Sequence, residues 1–226
     1  SLKDDRFAAE VTHGVEFLGA HRRQTLLYGG IGAAVLAVAL GIYFYRQNRQ
    51  AAAHEALFKA METYHAVVGE EETPGRINFK TDKEKYDKAF KDFEDVANKF
   101  SIFREGKVAR YYLGLVQHEM GKKAEAQKRL EQVAGESHDD VSALARLALA
   151  EFYLAEGKDE EARKQYEYLV KNPTSTVPES RAQLAMARYL KGRKPEEARK
   201  LLLELIKRPG PASASAGALL RELGQQ

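Results

Sequence analysis

The sequence predicts an all-α protein: one membrane-spanning helix followed by an α-solenoid of stacked helical pairs. Two observations carry this. Residues 25–45 run for 21 positions without a charge, which as a helix measures about 31 Å, the thickness of a bilayer's hydrocarbon core. Beyond Phe100, a unit of 35–36 residues recurs three times with its turn glycines (Gly121, Gly157, Gly192) in register, the mark of a repeat architecture.

The apolar run has the flanks of a bilayer segment. His21, Arg22 and Arg23 close one end and Arg46 and Arg49 the other, with Tyr28 and Tyr43-Phe44-Tyr45 at headgroup depth. A buried core helix is usually shorter and seldom basic at both ends. A cleaved signal has an apolar core of roughly 7–15 residues and a small-residue cleavage site, so the run reads as a signal anchor. Three segments follow: 1–23, an amphipathic juxtamembrane stretch with Phe7, Val11, Val15 and Leu18 on one face; 24–45, the transmembrane helix; and 46–226, the repeat domain. Within the span, Gly29, Ala33, Ala37 and Gly41 fall four apart and present one small-residue face on which another helix can close.

Past the span, residues 46–68 contain no breaker, and Leu57, Met61, Tyr64 and Val68 keep helical spacing. This predicts a helix continuing to Gly69. Residues 69–82 combine acids with Pro74 and Gly75 and read as the most mobile loop. The next helix carries Tyr86, Ala89, Phe90, Phe93, Val96, Ala97 and Phe100 on its apolar face, so 46–100 reads as a degenerate first pair. In each later unit, a first helix carries a small residue after leucine (Leu113-Gly114, Leu149-Ala150, Leu184-Ala185). Its second helix opens on alanine (Ala126, Ala162, Ala198), with a larger side chain four residues on (Leu130, Tyr166, Leu202). The small residues let two helices approach, and the large ones fill the space between neighbours. Pro173 and Pro209 end units, and 212–223 reads as a capping helix.

These units resemble the tetratricopeptide repeat family from about residue 46 to the C-terminus. The whole layout, with ALARLALAEFYLAEGKDEEA inside the repeats, is similar to the YfgM-like bitopic proteins of bacterial inner membranes. That resemblance implies a periplasmic repeat domain, with the Sec translocon and periplasmic chaperones or their clients as partners. It departs from the general repeat pattern in placing Arg110, Arg146 and Arg181 where a tryptophan often stands. Their stems are expected to pack while their heads reach solvent or a carboxylate.

Composition excludes several activities. The chain has no cysteine, a net charge of +3 and 31% charged residues of mixed sign. Disulfides and thiolate sites are thereby excluded, and no basic stripe is present for nucleic acid. His54 and His65, eleven apart, lack a third ligand, and HEMGK at His118 lacks the second histidine of a zinc motif. No phosphate-cradling glycine motif occurs. The acid pairs Asp139-Asp140, Glu160-Glu161 and Glu196-Glu197 sit at helix starts, where they oppose the helix dipole. The sequence argues against an enzyme and calls for no cofactor, metal or small-molecule substrate.

Protein partners and the lipid bilayer remain. Two functions fit: a membrane-anchored scaffold ancillary to protein export or envelope protein folding, or an accessory structural subunit of a larger membrane complex. Basic residues are nearly balanced across the span (Arg22 and Arg23 against Arg46, Arg49 and Lys59) and leave the orientation open. A short N-terminus before a long translocated domain, together with the resemblance, predicts a single-pass inner-membrane protein with its N-terminus in the cytoplasm. Partner binding is expected on the concave face of the stack, formed by the first helices. The residues turned away from the second helices are Tyr111, Leu115 and His118, then Leu147, Glu151 and Leu154, then Met186 and Tyr189. Two arrangements fit these residues: an open groove, or a tightly curled stack in which they pack on neighbouring first helices.

Overall fold

A computed structural model describes residues 22–69, 75 and 77–224. The expected amphipathic stretch at 1–23 lies almost wholly outside the described residues, as do residues 70–74 and 76 of the expected loop. By contact the chain divides into two units, Ser1–Ala52 and Ala53–Gln226.

The first helix, α1 (Arg22–Tyr64), is 43 residues long. In the N-terminal unit it is long and apolar enough to cross a membrane, and none of its apolar stretch is buried in the protein. Leu26, Val35, Leu36 and Ile42 are each more than half exposed. A core helix of a soluble fold would have buried them. Gly29 and Gly41 have open space where a side chain would stand, and Ala33 and Ala37 are exposed beside them.

In the C-terminal unit, α1 ends at Tyr64 and not at Gly69. His65 and Ala66 close its last turn on Met61 and Thr63. Val67–Val68 (β1) then pairs in parallel with Asn78–Phe79 (β2), so Val68 leaves the helical face expected of it. The β-branched pair is held by backbone bonds from Val67 to Ile77 and from Gly69 to Phe79. This ladder closes the long connection onto the repeat body, the one departure from a purely helical chain among the described residues.

Eight further helices follow among the described residues: α2 (Asp82–Lys99), α3 (Arg104–Glu119), α4 (Lys123–Glu136), α5 (Asp140–Ala155), α6 (Asp159–Lys171), α7 (Glu179–Lys191), α8 (Pro195–Lys207) and α9 (Pro211–Gly224). Each packs on the next in sequence, the arrangement of a solenoid. The three repeats are α3–α4, α5–α6 and α7–α8, and α9 caps them. Two main cores run through the unit. One joins Ala53 and Ala60 of α1 to Phe93, Val96, Leu113 and Val116. The other runs from Leu130 to Leu223. Each fully buried Leu or Phe contributes about 1.5–3 kcal/mol of transfer free energy.

The repeat signals have the packing roles their chemistry predicts. Ala126, Ala162, Ala198, Leu130 and Leu202 are wholly buried and Tyr166 nearly so. A Cβ on Gly114 would stand 2.7 Å from the Leu130 Cγ, so only glycine permits this approach. Gly106 is equally constrained, with a Cβ falling 2.2 Å from the Phe100 carbonyl oxygen. Gly121 and Gly157 turn their helices with φ of +76° and +73°, where glycine is the least strained residue. The third turn differs: Gly192 has φ −90°. Ala185 is half-buried, and the wholly buried small residues of α7 are Ala182 and Ala187.

Polar tethers reinforce the stack. Lys107, 8% exposed, donates to Ser137 Oγ, Asp139 Oδ2 and Ser142 Oγ at 2.7–2.8 Å. All three ammonium hydrogens are thereby used, which is what lets a lysine be buried. Burial opposes ionisation of Asp139, but Lys107 and the Ser142 N–H outweigh it and hold the carboxyl well below its usual range. Asp140 accepts from the Thr176 N–H and the Ser175 hydroxyl, which lower its pKa from 3.8 to about 2 and tie α5 to the loop before α7. Among the arginines, Arg110 grips Glu136 with two bonds of 3.1 and 2.8 Å. Arg146 meets no carboxylate among the described residues: it stacks on Tyr168 at 3.8 Å and donates to Gln165 and the Ala134 carbonyl. Arg181 donates to the Thr176 carbonyl at 2.9 Å.

Candidate functional site

The first helices of successive pairs line a concavity of about 500 Å³ within the C-terminal unit. On α3, Tyr111, Leu115 and His118 are spaced by four and three, so their side chains share one face. On α5, Leu147 and Glu151 face the same space, and these five predicted residues line the cavity together. Sequence reasoning missed its other walls: Tyr64 from the end of α1, Glu119, Phe152 and, across the cavity on α7, Arg181. The imidazole of His118 stacks on Phe152 with ring centres 4.0 Å apart and planes 16° apart. That contact holds both rings in the wall between the first two repeats.

The remaining predicted residues lie elsewhere. Leu154 and Met186 are half-buried against the core. Tyr189 is 7% exposed, its hydroxyl donating to the Asp159 carbonyl at 3.3 Å, with Arg193 over its ring. It is a packing residue between the last two repeats. Its counterpart 36 residues earlier, Tyr153, is buried to the same extent, whereas counting from Leu184-Ala185 uses a period of 35 and slips the third unit by one position.

The cavity is aromatic on one side and acidic within. Burial raises the phenols of Tyr64 and Tyr111 to about 12, so both are neutral. Tyr64 and Tyr111 both meet Tyr112 edge-on, at 5.5 and 5.1 Å, and Tyr112 in turn stacks on Phe93. This aromatic cluster fixes the wall. Burial also raises the Glu151 carboxyl, opposed by Arg181 and Arg188. Among the described residues no group of three His, Asp or Glu side chains is placed to hold a metal ion. His54 pairs with the buried Glu105 at 2.9 Å, and His65 lies past the end of α1, edge-on to Tyr64. The cavity offers surfaces to bind a side chain and no paired nucleophile and base.

A stack of helical pairs whose first helices line a concave, aromatic-walled groove defines the class of protein-binding α-solenoids, an interaction scaffold and not a catalytic fold. The chain belongs to the tetratricopeptide repeat-like domain family, whose profile matches residues 22–200. Among solved structures it is similar to the crystal structure of nearly identical TPR-like repeats described for a putative kinesin light chain of Podosopora anserina. The TM-score is 0.51 at 20% identity, over 63% of this chain and 79% of that one. A single-substitution variant of that protein matches to the same degree. At that identity the likeness is one of fold. No curated protein shows significant sequence similarity to the chain.

Proposed function

We propose that the chain is a membrane-anchored protein–protein interaction scaffold of the YfgM-like type. In this reading residues 1–23 form the juxtamembrane stretch, 24–45 the span and 46–226 the interaction domain. The carrying observation is the groove itself: five of the residues predicted to meet a partner line one cavity built from successive first helices. The wholly unburied apolar stretch of α1 supports the anchor, since that much exposed hydrocarbon needs lipid or protein to cover it. In the span, the face of Gly29, Ala33, Ala37 and Gly41 is where a partner helix would close. The setting that fits is a bacterial inner membrane, with the N-terminus cytoplasmic and the repeats in the periplasm, ancillary to protein export or envelope folding.

Protease treatment of intact spheroplasts tests the placement. Digestion of the repeats from outside supports it, and their protection overturns it. Stoichiometry after detergent purification separates the scaffold from an accessory subunit: a scaffold leaves its complex at high salt, and a subunit stays one-to-one.

A further inference from the structure

Several charged groups on the repeat surface are paired. Arg110 meets Glu136, Lys158 meets Glu156, Arg193 meets Asp159, Lys191 meets Glu222 and Arg208 meets Glu179. The groove differs. Among the described residues, neither Glu119 nor Glu151 has an ion-pair or hydrogen-bond partner, although both carboxylates line the cavity. The cation on the opposite wall, Arg181, offsets part of the Glu151 charge but forms an ion pair with neither acid. Arg181 donates its hydrogen bond to the Thr176 carbonyl, and it acts on Glu151 only through space, together with Arg188. Beside the two acids stand Tyr64 and Tyr111.

Unpaired carboxylates next to aromatic rings form a receptor for an organic cation: the acid neutralises the charge, and the ring's negative face attracts it while covering the alkyl stem. Leu115 and Leu147 supply apolar wall around it. We infer that the groove takes a protein segment presenting a lysine or arginine side chain between apolar neighbours, the cation seated between Glu119 and Glu151 against Tyr64 and Tyr111. This rests on the scaffold reading and names the chemistry of its partner. An acidic segment would bring a third anion into a space where Glu151 already resists ionisation.

The test uses the full chain in phosphatidylcholine nanodiscs, with empty nanodiscs subtracted. Two short peptides carrying a neutral fluorophore are compared by anisotropy. One has a central lysine between leucines, and the other has glutamate in place of that lysine. The lysine peptide is expected to bind at least about tenfold tighter, a ratio typical of one charge-assisted hydrogen bond, and Glu119→Gln with Glu151→Gln to abolish the preference. The melting temperature of the double variant reports that it is folded. Equal binding of both peptides, tighter binding of the glutamate peptide, or unchanged lysine-peptide affinity in the variant overturns the inference. If neither peptide binds, the cation site is refuted, while crosslinking in native membranes still decides whether the groove meets a protein.

Discussion

Replacing Tyr189 with alanine tests whether the groove ends where the structure ends it. The ring is 7% exposed, lies 5.9 Å from the Tyr166 ring and carries the Arg193 guanidinium at 4.8 Å. Removing an aromatic side chain so enclosed costs about 3–5 kcal/mol. For a domain of this size, 1 kcal/mol moves the melting temperature by roughly 2–4 °C, so Tyr189→Ala should lower it by about 6–20 °C. Tyr189→Phe keeps the ring and loses one 3.3 Å bond to the Asp159 carbonyl, for a cost of about 1 kcal/mol or less. Thermal unfolding in detergent, followed by the near-ultraviolet signal of the repeat aromatics, reads both. A shift of less than about 2 °C for Tyr189→Ala refutes the packing role and returns Tyr189 to the binding face.

Three further predictions concern other elements. Gly114→Val places a side chain against Leu130, 2.7 Å from its Cγ for the first carbon alone. Overpacking of this kind costs about 1–3 kcal/mol, read as a lower denaturant midpoint, while Gly135→Ala, with open space around it, should be tolerated. Asp140 has its folded pKa lowered from 3.8 to about 2 by the Thr176 N–H and Ser175. Its contribution is therefore complete above the unfolded value and lost as pH falls from about 4 to 2. Asp140→Asn should lower the melting temperature at neutral pH and flatten its fall across that acidic window. Ala33→Leu with Ala37→Leu fills the small-residue face of the span and should weaken co-purification of a membrane partner; undiminished recovery makes that face lipid-facing.

The repeats were legible because each unit must solve the same steric problem. A glycine or alanine opposite a leucine or tyrosine every 35–36 residues leaves a periodic trace, and Gly114 against Leu130 is its physical cause. The walls of the groove on α3 followed from that register. Four features did not. Tyr189 was misplaced because Leu184-Ala185 sets a period of 35, whereas α5 and α7 end 36 residues apart, which slips the count by one position. The strand pair joins residues ten or more apart across a loop, through backbone bonds that side-chain periodicity does not encode. The Lys107 tether joins three groups 30–35 residues away, and in the sequence it is one lysine on an amphipathic helix. Glu119 and Arg181 were missed for a related reason: the groove's charge comes from helix edges that only the stacking of units brings together.

The most direct test of the scaffold account places a photocrosslinking amino acid at Leu115, on the groove wall, and in a second variant at Leu203, exposed on the second helix of the last repeat. Both are irradiated in native membranes, and the adducts are identified by mass spectrometry. The account predicts a discrete protein adduct from Leu115, lost in Tyr111→Ala, and none of the same identity from Leu203. Identical adducts from both positions, or none from Leu115 while the protein remains folded in the membrane, would contradict it.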